Sequence, residues 1–318
     1  MAKMTHAKPG IVEAMGLRPW RKRWEQTLIA LRGAEDVPPT KWDSSALKQL
    51  YPRMSPKLWL GKPHLPRKII ITNLFNRTQT PIHDGWSTRK TQLDDFRGRD
   101  LTYDSHNGTD FAIPIGTVVV APAAGVVVRV NSEFNRGGLK IFMDHGAGLM
   151  TNCAHLARAL VHEGQEVQRG EPIAISGYSG VDALVTFPFG VPHVHFNTWL
   201  NGEPVDPFAR VGEVSLWRGG RPTPGAQDER LQIQPSAYDE AKVDAIIASC
   251  KTPSVRADLA GITHLAQRAA QTLIAKNYYP TRFDLHQSPY AEHFERKEVF
   301  QVPFQKSDFD EVVFLDEI

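Results

Sequence analysis

A mainly β core domain with α-helical N- and C-terminal extensions is the fold class this sequence predicts, and two observations predict it. Between residues 68 and 208, short β-branched runs at 68–72, 117–121, 126–130 and 139–143 are separated by glycines, the composition of strands punctuated by turns. Before and after that region, apolar residues recur at spacings of three and four, the period of a helix face.

The elements follow in chain order. Residues 1–66 read as an N-terminal helical arm, with an amphipathic pattern over 21–31 and proline-containing connectors at Val37-Pro38-Pro39 and Lys62-Pro63. The β domain is placed at 67–212. Within it, Val118-Val119-Val120-Ala121 and Val126-Val127-Val128-Arg129-Val130 flank Pro122-Ala123-Ala124-Gly125, turn chemistry that predicts a hairpin. Residues 213–235, rich in Gly, Pro, Gln and Arg, read as a linker. The region 236–318 reads as helical with short strands. Helices are predicted over 237–249 and 255–276, the second closed by Pro280. The tail, 299–318, alternates aromatics with acids, the pattern of a strand pair packing back on the body or of an acidic end.

Composition narrows the function. The 318 residues carry 23% charged side chains and a net charge of +2. No basic footprint argues for nucleic acid or an anionic membrane surface as the main partner. Cys153 and Cys250 are too few and too far apart for a disulfide framework or a cysteine zinc knuckle. The longest apolar run near the start is Leu28-Ile29-Ala30-Leu31, far short of a signal-peptide core, and no run is long enough to span a membrane. The expectation is a chain that is cytoplasmic by default or exported by another route; oligomeric state is not legible.

Three segments hold the residues with chemistry: His106-Asn107-Gly108-Thr109-Asp110, Cys153-Ala154-His155-Leu156 and His193-Val194-His195-Phe196. Imidazole nitrogen and carboxylate oxygen are the donors zinc takes in open catalytic sites. Strand periodicity puts His193 and His195 on one face, with Val194 and Phe196 turned the other way into the core. His106 and Asp110 are four apart around Asn107-Gly108, so a turn entering a strand lets both side chains converge on one point. The spacing leaves open which of His193 and His195 would bind metal. His145, in an Asp-His-Gly turn, and His162, beside Glu163, read as structural or solvated, and His6, His64, His83, His264, His286 and His293 lie outside the motif block.

In order and composition these motifs resemble the M23 family of zinc metallopeptidases, the lysostaphin type, over about residues 103–208. His106 to Phe111 resembles the family's first metal motif, residues 116–130 the phrase that follows it, and Asp144-His145-Gly146-Ala147-Gly148 with residues 151–156 the central segment. Pro192-His193-Val194-His195-Phe196 resembles the closing motif, and Asn201-Gly202-Glu203-Pro204-Val205-Asp206-Pro207 the end of the domain. The resemblance implies an antiparallel β-sheet core of the duplicated-hybrid-motif type. It also implies one zinc ion per chain on His106, Asp110 and His195, with His155 and His193 as catalytic histidines. The implied activity is a zinc endopeptidase acting on peptidoglycan peptides or another peptide substrate. The alternative is a non-catalytic peptidoglycan- or protein-binding scaffold of the same fold. A carrier-type β domain, suggested by the repeated phrases around Gly125 and Gly170, leaves the His106/Asp110 and His193/His195 pairs unexplained.

Two features depart from the family pattern. Cys153 stands where relatives carry a tyrosine, and strand alternation predicts that it shares the face of His155. That makes it a possible active-site neighbour, able to inhibit or to confer redox sensitivity, or else a small buried residue. The segment 176–191, with Phe187-Pro188-Phe189, is long and is expected either to form an apolar wall of a substrate groove or to be a packed surface insertion.

Overall fold

The computed structural model describes residues 6–78, 85–226 and 232–318; His83 and residues 227–231 of the expected linker lie outside them. Among the described residues eleven strands form one mixed, largely antiparallel sheet. They are β1 (Lys68–Asn73), β2 (Thr109–Ala112), β3 (Val118–Val120), β4 (Gly125–Glu133), β5 (Gly138–Asp144), β6 (Leu149–Ala159), β7 (Glu166–Val167), β8 (Pro172–Ser176), β9 (His193–Leu200), β10 (Glu203–Pro204) and β11 (Glu311–Phe314). The main path runs β11-β1-β2-β9-β6-β5-β4-β7; β10 pairs with β9, and β8 joins β3 to β6. The helices are α1 (Ile11–Ala14), α2 (Trp20–Arg32), α3 (Ser55–Trp59), α4 (Val181–Thr186), α5 (Glu240–Ala248), α6 (Pro253–Ala260) and α7 (Leu265–Tyr278). No helix among the described residues is long and apolar enough to cross a membrane.

Strand alternation divides the sheet into two faces. On one, Ile141 and Met143 of β5, Cys153 of β6 and Val194 and Phe196 of β9 join the main core. On the other, Phe142, Met150 and Trp199 pack against Ala270, Leu273 and Ile274 of α7. The same alternation leaves His193, His195 and Asn197 on this second face, beyond the end of α7, where the candidate site lies.

Three expectations change here, and a fourth resolves to one of its two alternatives. The strands flanking Pro122-Ala123-Ala124-Gly125 do not pair with each other: β3 pairs with β8, and β4 with β5 and β7. The alanines of that turn are buried, and Val120 N–H donates to the carbonyl of Pro303, so the chain crosses within the core rather than folding back as a hairpin. The start of the expected linker at 213–235 is instead anchored: Leu216 and Trp217 are core residues and Trp217 bridges to Phe300. The helix expected over 255–276 is two, α6 and α7, separated at Gly261, which follows the last turn of α6. The tail packs back, with Phe300, Val302, Phe304 and Phe309 in the main core and β11 added in parallel to β1.

Candidate metal centre and cleft

Three neighbouring strands set the site. On β2, β9 and β6, Asp110 lies directly opposite His195, and His195 directly opposite Ala154. Directly opposed residues share a face, so a carboxylate, an imidazole and a methyl group stand in one row. The small Ala154 leaves space beside His195. His106 comes from the loop before β2, which lies so close to β9 that a Cβ on Gly108 would stand 2.7 Å from the Phe196 carbonyl oxygen and 2.8 Å from His195 Nε2. Only glycine fits that contact.

The donor atoms converge. His106 Nε2 lies 3.1 Å from Asp110 Oδ1, His195 Nδ1 lies 2.7 Å from the same oxygen, and the two nitrogens are 3.2 Å apart. Donors around a tetrahedral zinc at ordinary bond lengths sit about 3.3 Å from one another, so the spacing and the chemistry of the donor set both fit such an ion. The surrounding residues orient the donors. His106 Nδ1 is 2.6 Å from the carbonyl of Leu74, and since a carbonyl only accepts, the proton is on Nδ1 and the lone pair of Nε2 faces the site. Asn73 Nδ2 donates to Asp110 Oδ2 at 2.9 Å, leaving Oδ1 for the cluster. Burial opposes ionisation of Asp110, but His106 and His193 beside it and the hydrogen bonds of His106 and His195 hold its carboxyl well below the usual range.

His155 and His193 flank this centre, with ring centroids 4.7 Å apart. Each points Nδ1 at a main-chain carbonyl, His155 at Ser179 over 2.8 Å and His193 at Val191 over 2.7 Å. Nδ1 therefore carries the proton in both, and Nε2 is an acceptor. His193 Nε2 lies 3.5 Å from Asp110 Oδ1. Burial, then His193 and His195 nearby, push the His155 imidazolium well below its ordinary value, which makes that ring neutral at pH 7.

The structure thus brings His106, Asp110, His155, His193 and His195 to one place and excludes Cys153 from it. Cys153 opposes Phe196 and is fully buried in the main core. The expected alternation fails at His155 itself, whose backbone is left-handed at φ 60°, a region uncommon for residues other than glycine. That turn swings His155 onto the face of Ala154 and leaves Cys153 behind. Burial pushes the Cys153 thiol up to about 12. His145 is structural as expected, held by the Ala124 carbonyl and Thr151. His162 Nδ1 meets the main-chain carbonyl of Glu163 at an exposed turn.

The cleft over the centre includes residues that no motif announced. The Tyr103 ring lies 4.6 Å from that of His106, tilted by 40°, and Tyr178 lies 4.9 Å from His193. Asn197 donates to Asn107 and receives a hydrogen bond from Asn152, which in turn reaches the Tyr278 hydroxyl at the end of α7. Asp182, Arg136 and Tyr278 line the same cleft as His155 and His195. They come from loops and helix ends far apart in the chain, where a single sequence offers no spacing to read. In 176–191, Tyr178, Asp182, Thr186 and Val191 line the cleft, whereas Phe187 and Phe189 are half exposed outside it, Phe187 packed on Trp59. The apolar wall expected from the phenylalanines is a mixed polar one.

Residues 104–207 match the model of Peptidase family M23. A stretch of 101 residues is 42% identical to peptidoglycan DD-endopeptidase ShyA of Vibrio cholerae, covering 32% of this chain and 22% of that one. Over 149 residues the chain is 32% identical to DD-carboxypeptidase/endopeptidase Mpg of Neisseria meningitidis, covering 46% and 30%. A solved zinc-containing peptidase from Vibrio cholerae aligns at a TM-score of 0.32 and 30% identity, over 44% of this chain and 38% of that one. The chain spans under a third of the length of the curated relatives it matches.

Proposed function

Residues 104–207 being a Peptidase family M23 domain, we propose that the chain is a zinc-dependent endopeptidase whose substrate is the peptide cross-link of peptidoglycan. The observation that carries the reading is the convergence of His106 Nε2, Asp110 Oδ1 and His195 Nδ1 beside two imidazoles with free Nε2 atoms. In this reading His106, Asp110 and His195 hold one zinc ion, and His155 and His193 act on the substrate. Zinc held there supplies Lewis-acid chemistry and makes water nucleophilic near neutral pH. The substrate assignment is supported by the similarity to a peptidoglycan DD-endopeptidase, ShyA, and the endopeptidase activity also by the similarity to the DD-carboxypeptidase/endopeptidase Mpg.

The chain's own residues supply the proton chemistry. His155, neutral and anchored through Nδ1, accepts a proton at Nε2 from the attacking water. His193, anchored the same way on the other side, turns Nε2 toward the reacting group, and the proton that His155 takes from the water is the one delivered to the leaving amine. Their fixed Nδ1 bonds set ring orientation before substrate arrives, so little reorganisation is left for the reaction itself.

Incubating the zinc-loaded full chain with purified peptidoglycan tests this. Cross-linked dimers are expected to become monomers, followed by mass, and conversion is expected to stop on chelation. His155→Ala and His193→Ala should keep the metal and lose about 10²- to 10⁴-fold in turnover. Undiminished turnover in both variants would remove the histidines from the mechanism, and no conversion by metal-loaded wild type would overturn the substrate assignment.

A further inference from the structure

Arg136 sits in the loop between β4 and β5, in the wall of the cleft that holds His155 and His195. The loop is tied to the centre: the carbonyl of its neighbour Gly137 accepts the His155 N–H at 2.8 Å. The guanidinium carbon lies 5.3 Å from the centre of the Trp86 ring and 5.9 Å from that of Tyr279. Such stacking fixes the plane of the group and leaves its N–H edge free to meet a ligand. Nε is buried without a partner, and among the described residues the side chain forms no hydrogen bond or ion pair.

The nearby carboxylates do not satisfy it. Glu133 is taken by Lys140, 2.7 Å away, and by the Tyr279 hydroxyl. Asp182, across the cleft, makes no ion pair with Arg136 within 4.0 Å, and burial pushes its carboxyl up, weakening it as a counter-charge. Burial also brings the Arg136 guanidinium down to about 10, which leaves it cationic at neutral pH. A half-buried cation whose Nε is sealed from water and has no close counter-charge costs free energy. A folded protein retains one in a cleft most readily where a ligand supplies the missing anion.

We infer that Arg136 is a specificity-determining residue that binds a free carboxylate of the peptide substrate through the fork of its guanidinium. The inference rests on the endopeptidase reading and names the substrate class within it: peptides with an unblocked carboxylate, either on the residue flanking the scissile bond or at the chain end. Two parallel N–H···O bonds match the planar geometry of a carboxylate and of no neutral amide. Tests on three peptides separate the two sources. One is a cross-linked stem-peptide dimer with both carboxylates free, one has the flanking carboxylate amidated, and one has the terminal carboxylate amidated.

Binding is measured by calorimetry on the metal-free full chain, so that no cleavage occurs, and turnover is measured separately with zinc. Wild type should bind the free dimer about 10- to 100-fold more tightly than one of the two amidated forms. Arg136→Gln should abolish that preference while binding the disfavoured amide as wild type does, and Arg136→Lys, which keeps the charge and loses the fork, should fall between. The wild-type comparison needs no substitution and so stands even if a variant folds poorly. Equal binding of all three peptides by wild type, no binding of any, or a preference that survives in Arg136→Gln would overturn the inference. A wild type that shows this preference but, loaded with zinc, turns over none of the peptides would count against the endopeptidase reading alone.

Discussion

Asn73 does for Asp110 what the Leu74 carbonyl does for His106: it fixes one atom of the side chain so that the other faces the centre. Groups that orient ligands in this way set metal affinity by about 10- to 100-fold. Asn73→Ala is therefore expected to weaken zinc binding by that factor with the fold intact, measured by competition with a chromophoric chelator; unchanged affinity would show that Asp110 is positioned by its strand alone. Cys153 is the opposite case. Buried in the core, with its thiol pushed up to about 12, it has no thiolate to offer at neutral pH. Native protein is expected to resist alkylation at Cys153 and to show no oxidant sensitivity traceable to it, while Cys153→Ser costs about 1–3 kcal/mol by burying an unpaired hydroxyl. Rapid labelling of the folded protein, mapped by mass spectrometry, would contradict this.

At the scale of elements, the segment from β4 into β5 ties the C-terminal helices to the cleft. The buried Lys140 ammonium meets Glu133 at 2.7 Å and lies 4.4 Å from the Tyr278 ring at the end of α7. Burial opposes ionisation of Glu133, but Lys140 brings its carboxyl down from 4.5 to about 2. Because the folded value is the lower one, this stabilisation is complete above about pH 4.5 and is lost as pH falls toward 2. Glu133→Gln leaves Lys140 buried without its partner and is expected to cost about 3–5 kcal/mol at neutral pH in urea unfolding, with a flatter stability profile between pH 4.5 and 2. A variant as stable as wild type would show that the pair is neutral.

Element by element, the sequence is most informative where side-chain period reports local geometry. His193-Val194-His195-Phe196 alternates between site and core as a strand must, and residues 21–31 form the helix their spacing suggests. It is least informative where long-range pairing decides. Val118-Val119-Val120 and Val126-Val127-Val128 have the composition of a hairpin, yet each finds its partner elsewhere in the sheet. Cys153 departs from its expected face for a different reason: period two assumes extended backbone, and one left-handed residue at 155 breaks it. The metal-ligand candidates are recoverable because their order resembles a known family, whereas Arg136 and Tyr178 enter the cleft from loops and Asp182 from the first turn of α4, with no motif of their own.

The whole molecule is less divisible than its composition suggests. Phe300, Val302, Phe304 and Phe309 fill the core on the face opposite the site, and β11 covers the edge of β1. Each such side chain contributes about 1.5–3 kcal/mol when buried, so together they approach the total stability of an ordinary domain, about 5–15 kcal/mol. Removal of residues 299–318 is accordingly expected to yield an aggregating or unfolded protein by circular dichroism and size-exclusion chromatography. A soluble, cooperatively folded truncation would show that the tail is an accessory.

Whether His106, Asp110 and His195 form one metal centre is read from zinc content per chain, by elemental analysis, in wild type and His106→Ala after equilibration with excess zinc and gel filtration. About one zinc is expected in wild type and a large loss in the variant, with both proteins folded. Wild type without zinc, or a variant that holds as much, would contradict it.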